Sequence, residues 1–317
     1  MKLFQQISTL FLLIMCFVGF DISVYNLFTK RYINSTSEQM QTKSIELDKY
    51  LPFDKNSEVV NIDTDFKLTE NLPVVDGAAA LYPVFSAFVN AVYPQDSVFF
   101  DGENFTPESS LQYTNTLKAY KSVVDGEADI IFCAEPSAEQ LEYAEEQGAE
   151  LEFIPIGHEA FVFIVSNENP VENLKVEQIR GIYSGKYKKW SQVGGDNKII
   201  DPVQRIEGSG SQSVMMSFMD GIPMKKNLFG FMGRAVGFSF RYYVSEIVGN
   251  GCVKMLSVNG VYPDKDNISS GQYPVTVDFY AIYRKYNPNS NVKLMIDWIL
   301  SDKGQEIIEK SGYIPIE

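Results

Sequence analysis

One histidine and three cysteines in 317 residues leave little from which to build a metal centre or a disulfide framework. His158 stands alone beside Glu159 and reads as structural, and no Cys/His spacing matches a zinc site. Cys133 and Cys252 read as buried thiols. A phosphoester hydrolase would need a metal cluster or a nucleophile–base pair, and neither pattern occurs, so no enzyme and no cofactor are expected. Basic residues are also scarce. Lys and Arg number 27 against 41 Asp and Glu, a net charge of −14. A chain with that balance repels nucleic acid and anionic membrane surfaces. What it has in quantity is apolar residue, 45%, the share of a globular protein with a sizeable core.

The stretch from Arg205 to Ser213 (RIEGSGSQS) carries the strongest local signal. Ile199, Ile200 and Val203 precede it with β-character, and Val214, Met215, Phe218 and Met219 follow at helical spacing. The segment therefore reads as strand, glycine-rich turn, helix. Gly208 and Gly210 let the backbone turn tightly and approach a ligand, because they lack a Cβ. The amides that follow are the free N–H groups of a helix start, with the positive end of the helix dipole behind them. Ser209, Ser211 and Ser213 add hydroxyls, and Arg205 adds a planar, permanently charged fork suited to an oxyanion. A plain Ser-capped turn would carry the same serines. The pattern is not a P-loop, since no Gly-Lys-Ser/Thr follows. Nor is it a nucleophile elbow, since Glu207 stands where that motif needs glycine.

At the N-terminus, Lys2 precedes an apolar run over 7–20, and after Asp21 a second run covers 22–28. A helix through both would reach roughly 30 Å at about 1.5 Å per residue, enough to span a bilayer. Residues 1–28 are read as an export signal kept as a membrane anchor. Met15 stands where lipidation of Cys16 would need a small residue, which argues against a lipid anchor there. Residues 29–70 are polar, mixed in charge and without a sustained period, which predicts a flexible tether. Folded structure is expected to begin near Leu72.

From there strands and helices alternate. Val74 and Val75 lead into Asp76-Gly77 and three alanines, a narrow turn, and Val84, Phe85, Phe88, Val89 and Val92 repeat at helical spacing. Thr114, Asn115 and Thr116 open another helix. Strands are expected at 130–133, 151–156, 160–165 and 275–283, and the alternation predicts an α/β fold with mostly parallel sheets. Small polar helix starts then fall at strand carboxyl ends, where such sheets bind ligands.

Taken in order, these pieces resemble the phosphate-binding proteins of phosphate ABC importers. The matching pieces are Asp76 to Pro83 (DGAAALYP), Asp125 to Phe132 (DGEADIIF), Ile182 to Gly185 (IYSG) and Trp190 to Gly195 (WSQVGG). They continue with Arg205 to Gln212, Asp297 to Gly304 (DWILSDKG) and Gly312 to Pro315 (GYIP). The resemblance covers everything but the first 70 residues or so. It implies a non-enzymatic, two-lobed periplasmic-binding-protein-like fold of type II that closes on its ligand. Lobe I would comprise 71–157 and 275–317, and lobe II 158–274. It implies inorganic phosphate as ligand, an ABC transporter permease as partner, a monomer, and an extracytoplasmic, membrane-anchored location. The same fold with an altered ligand site would make a tethered sensor or adhesion module. Carried over from the family, Arg205, Ser209, Gly210 and Ser211 bind the ligand from lobe II, and Leu81, Tyr82 and Thr116 from lobe I. Glu207 is expected to hold Arg205 in place.

Two departures bear on the ligand. Relatives usually carry Ser or Thr where this chain has Ala78, Ala79 and Ala80. The family's proton-accepting Asp, which rejects sulfate, aligns with Ala134, and the neighbouring Glu135 is expected to take its role.

Overall fold

The computed structural model describes residues 45–225, 234–248 and 251–316. The segment read as an anchor, 1–28, lies outside the described residues, as does the first part of the expected tether. Among the described residues, no helix is long and apolar enough to cross a membrane.

Ten strands occur among the described residues: β1 (Val75–Gly77), β2 (Ile130–Cys133), β3 (Leu151–Ser166), β4 (Asn173–Leu174), β5 (Asp201–Pro202), β6 (Ala235–Phe240), β7 (Val253–Met255), β8 (Ser257–Val258), β9 (Thr276–Arg284) and β10 (Ile314–Pro315). The α-helices are α1 (Tyr82–Val92), α2 (Asn115–Asp125), α3 (Ala138–Glu146), α4 (Val176–Tyr183), α5 (Gly210–Met219), α6 (Lys265–Ser269), α7 (Asn291–Ile299) and α8 (Asp302–Lys310). The main hydrogen-bonded path runs β1-β2-β9-β3-β6-β5, with β7 and β10 also paired to β3. β1 with β2 and β5 with β6 are parallel. β9 is antiparallel to β2 and to β3, and β3 is antiparallel to β6. The sheet is thus mixed rather than mostly parallel. The antiparallel pairs join β3 to strands far away in sequence, which the local alternation does not encode.

The two strands expected at 151–156 and 160–165 are one 16-residue strand, β3. Its first part pairs with β9 and its last part with β6 and β7. Instead of ending, the strand shifts register between Pro155 and Gly157. Gly157 permits the passage: a Cβ there would lie 2.3 Å from Phe279 Cζ and 3.0 Å from Ile314 O.

Apolar residues gather into two main cores, giving the two-lobed, mixed α/β architecture. One contains Val75, Phe85, Phe88, Phe132, Trp298 and Ile307. The other contains Phe161, Phe163, Tyr183, Trp190, Met215 and Phe238. α1 is buried on nearly every side, which its composition explains, since its apolar residues are not confined to one face. Pro83 suits its first turn, where a missing N–H costs nothing.

Residues 45–70 do not form a tether. They lie as a strap on the first core, with Ile45, Tyr50, Ile62 and Leu68 buried. Tyr82 Oη donates to Leu47 O at 3.0 Å, the Ser86 hydroxyl donates to Tyr50 O, and Trp298 Nε1 donates to Thr64 Oγ1 at 3.1 Å. Phe66 stacks on Trp298 with ring centroids 5.9 Å apart. The polar average of the segment hides apolar residues at irregular spacing, so no helical or strand period betrays them. Of the two thiols, Cys133 is buried but Cys252 is exposed, and neither forms a disulfide.

Candidate functional site

Three helix starts meet beside the carboxyl end of β2. The first follows β1. Ala78 is extended and its N–H donates to Phe132 O at 2.9 Å, which draws the turn onto the sheet. Residues Ala79–Leu81 make a 3-10 turn that runs into α1. The Leu81 and Tyr82 amides are engaged with Ala78 O and Ala79 O. Those of Ala79 and Ala80 precede the first intrahelical bond and have no acceptor among the described residues.

The second start is α2. Asp76, 1% exposed at the end of β1, accepts hydrogen bonds from the Gly77 N–H at 2.7 Å, the Thr114 N–H at 2.8 Å and the Thr114 hydroxyl. This carboxylate ties the turn after β1 to the cap of α2. Burial raises its pKa to about 6, against the pull of those three hydrogen bonds. Thr116, two residues further on, is buried.

The third start is α5. The Ser209 side chain caps it by accepting from the Gln212 N–H at 3.3 Å. Ser209 O accepts from the Gln212 and Ser213 amides, so those of Gly210 and Ser211 remain free. Gln212 Oε1 turns back to accept from the Arg205 N–H at 2.9 Å. Gly208 has φ +77°, and a Cβ on it would meet Leu117 Cδ1 at 2.4 Å, so the loop needs glycine there. A Cβ placed on Gly210 would lie 3.6 Å from Thr116 Oγ1 and 3.7 Å from Ala134 Cβ. α5 therefore points its start at α2 and at the end of β2.

Between them lies a cavity of about 20 Å³, lined by Ala78, Ala80, Leu81, Ala134, Gly210 and Phe279 among others. A water needs roughly 10–15 Å³ on this measure, so the space suits a compact guest. Glu159 and Asp278 also border it. Glu159 is paired with Arg241 (Oε1 to Nε, 3.3 Å) and further accepts from the Ala160 and Tyr242 amides. Asp278 Oδ1 lies 2.7 Å from His158 Nδ1 across the β3–β9 ladder.

Arg205 is half-buried, and burial pulls its guanidinium below its ordinary pKa, Tyr243 working the other way. Among the described residues the guanidinium makes no hydrogen bond or ion pair. Glu207, expected to hold it, is exposed and does not pair with it.

Of the eight residues named from sequence, Leu81 and Gly210 line the cavity, Thr116 lies next to Gly210, and Ser209 and Ser211 flank Gly210 along the chain. Arg205 sits on the same loop but does not border the cavity. Tyr82 turns its side chain into the core and has its amide engaged, so it offers the cavity nothing. Glu135 is exposed, its Oε2 accepting from the Ser217 hydroxyl at 3.4 Å. Adjacent residues at a strand end point to opposite sides, and Ala134 is the one that faces the cavity. With no hydroxyls at Ala78–Ala80, the donors left to that turn are backbone N–H groups, as the sequence implies, and the free ones are those of Ala79 and Ala80; sequence reasoning missed the organising role of Asp76, for which an Asp before a glycine-alanine turn was the available signal.

Residues 70–303 match the family model described as a PBP superfamily domain. The phosphate-binding protein PstS of Borreliella burgdorferi is 27% identical over 180 residues, covering 50% of this chain and 64% of that protein. The PstS of Bacillus subtilis is 26% identical over 190 residues, covering 54% and 61%. The chain thus spans less than two thirds of the length of either relative. Among solved structures, a protein of Clostridium perfringens with bound phosphate superposes with a TM-score of 0.57 at 21% identity, over 79% of this chain and 100% of that one. An ABC-type phosphate transport receptor of Vibrio cholerae gives 0.53 at 20% identity, over 79% and 100%. Identities this low carry the fold and not the ligand.

Proposed function

This chain belongs to the PBP superfamily, and we propose that it binds inorganic phosphate, or a tetrahedral oxyanion like it, outside the cytoplasm and passes it to an ABC-type importer. One observation carries the reading. Free amides of two helix starts, at Ala79–Ala80 and Gly210–Ser211, converge on one small cavity, and the loop leading into the second start carries Arg205, half-buried and with no hydrogen bond or ion pair to its guanidinium among the described residues. Aligned amides at helix starts favour an anion, and their fixed dipoles work locally against the net charge of −14. Nothing in this arrangement performs chemistry, so the ligand leaves as it came.

Lobe I is assigned to 71–157 with 275–317, joined by the strap 45–70, and lobe II to 158–274. The register shift in β3 beside Gly157 and most members of the two cores support these bounds, with Tyr242 and Tyr243 reaching into the first core and Ala134, Val275 and Ile314 into the second. Anchoring through residues 1–28, a permease as partner and a monomeric state complete the proposal. Calorimetric titration of the full chain with phosphate, with sulfate as competitor, tests it. Saturable binding of one phosphate per chain is expected; no binding at millimolar phosphate overturns it.

A further inference from the structure

Resting on the oxyanion reading above, we infer that Glu159 reads a proton on the bound anion, so that the site takes hydrogen phosphate and turns sulfate away. The free amides of the helix starts are donors, whereas Glu159 borders the same cavity with a charge of the ligand's own sign. Strand alternation aims its side chain there. Glu159 lies opposite Val277 in the β3–β9 ladder, Phe279 shares the face of Val277, and both border the cavity together with Tyr313. The residue is 2% exposed and its carboxylate is held from three sides. Oε1 accepts from the Ala160 N–H at 2.8 Å and from Arg241 Nε at 3.3 Å, and Oε2 accepts from the Tyr242 N–H at 3.1 Å. Tyr242 stacks in turn on Tyr313, with ring centroids 4.5 Å apart. All three partners donate, which suits the ionised, acceptor-only form. Burial pushes the Glu159 carboxyl above its ordinary pKa, and Arg241 and the two amides pull it back towards the charged form. An ionised carboxylate offers about four lone-pair positions, so among the described residues Oε2 keeps one open. A P–OH group fills that position with its hydrogen. Sulfate, which has none at neutral pH, sets oxygen against oxygen and charge against charge beside a buried carboxylate. The Tyr313 hydroxyl and the Ala80 and Ala134 carbonyls are neutral and have no charge to set against sulfate. Asp278, on the alternate face of β9, turns to His158 Nδ1 at 2.7 Å and is the more solvated carboxylate, its side chain 39% exposed.

Calorimetry of the full chain at mildly alkaline pH, where hydrogen phosphate and sulfate carry the same charge, reads the proton alone. Phosphate is expected to bind at least about a hundredfold tighter than sulfate, well inside the roughly 10⁴-fold discrimination that an enclosed hydrogen-bonding site can reach. In Glu159→Gln the amide offers a donor as well as an acceptor, and the ratio is expected to fall at least about tenfold through tighter sulfate binding. That change leaves Arg241 without its carboxylate, and breaking one side of a buried pair destabilises more than removing both. Glu159→Gln combined with Arg241→Met removes both charges and is expected to show the same fall in ratio. A merely structural role would weaken both anions together and leave the ratio where it was. Wild-type sulfate binding within about tenfold of phosphate, or a ratio that survives the variants, overturns this inference and leaves the oxyanion reading standing. A ratio that collapses in Asp278→Asn instead also overturns it, moving the proton contact to β9. Binding of neither anion overturns both.

Discussion

Arg205 is a charge that folding has half-buried without giving its guanidinium a hydrogen-bond or ion-pair partner among the described residues. Such a group is costly unless something fills its fork. Arg205→Ala is therefore expected to leave the fold intact and weaken phosphate binding at least about thirtyfold by calorimetry, the low end of the roughly 2–5 kcal/mol that a lost charged hydrogen bond costs. Glu135→Gln is expected to change phosphate affinity less than about twofold, since an exposed group bonded to Ser217 acts weakly on a distant anion. Asp76 gives a pH signature. Its folded pKa of about 6 stands above the ordinary aspartate value of 3.8, so its contribution to stability is fully present below the unfolded value and is lost as pH rises through the folded one. The loss is roughly 3 kcal/mol between about pH 4 and 6, taking about 1.4 kcal/mol per unit. Asp76→Asn keeps the Thr114 and Gly77 bonds within reach and should flatten that part of the profile; urea unfolding across the range for both proteins checks it. The Arg205 loop was legible because glycine and serine spacing is a local property. Whether Ala134 or Glu135 faces the cavity was not, because that depends on the phase of β2 against the sheet.

Among the elements, β3 departs most from what its sequence suggests. Gly157, His158 and Glu159 interrupt an apolar pattern and read as a loop between two strands. In the fold all three pair with β9, and Gly157 and His158 pair with β10 as well, His158 lying opposite Asp278 on β9 and opposite Ile314 on β10. Tertiary pairing overrides the local break, which one sequence cannot reveal. The narrowness at Gly157 is testable. Gly157→Ala would push a methyl into Phe279 and Ile314 O, and overpacking of this kind costs about 1–3 kcal/mol, read as a lower urea midpoint with unchanged slope. The helix starts were more legible than the strands. α1, α2 and α5 begin close to where small residues precede an apolar period, because capping is decided within a turn or two.

At the scale of the whole molecule, the strap changes where the folded protein starts. A chain beginning at residue 71 would uncover the surface now shielded by Ile45, Tyr50, Ile62 and Leu68. Burying one such side chain is worth about 1.5–3 kcal/mol as an upper estimate. The shorter chain is expected to lose at least about 3 kcal/mol relative to one beginning at residue 45, measured by denaturant unfolding. Composition alone could not locate this boundary, since a polar segment with four well-placed apolar residues averages out as polar. The two tryptophans fall one to each core. Trp190 is anchored by donating from Nε1 to Arg234 O at 3.1 Å, and Trp298 lies under the strap against Phe66 and Thr64. With only two in the chain, each single Trp→Phe variant leaves one tryptophan, excited selectively at wavelengths tyrosine does not absorb, reporting on one half. Loss of the strap should shift the Trp298 emission to longer wavelength in a Trp190→Phe background and leave the Trp190 emission in a Trp298→Phe background where it was, so the two halves can be watched melting separately without any added dye.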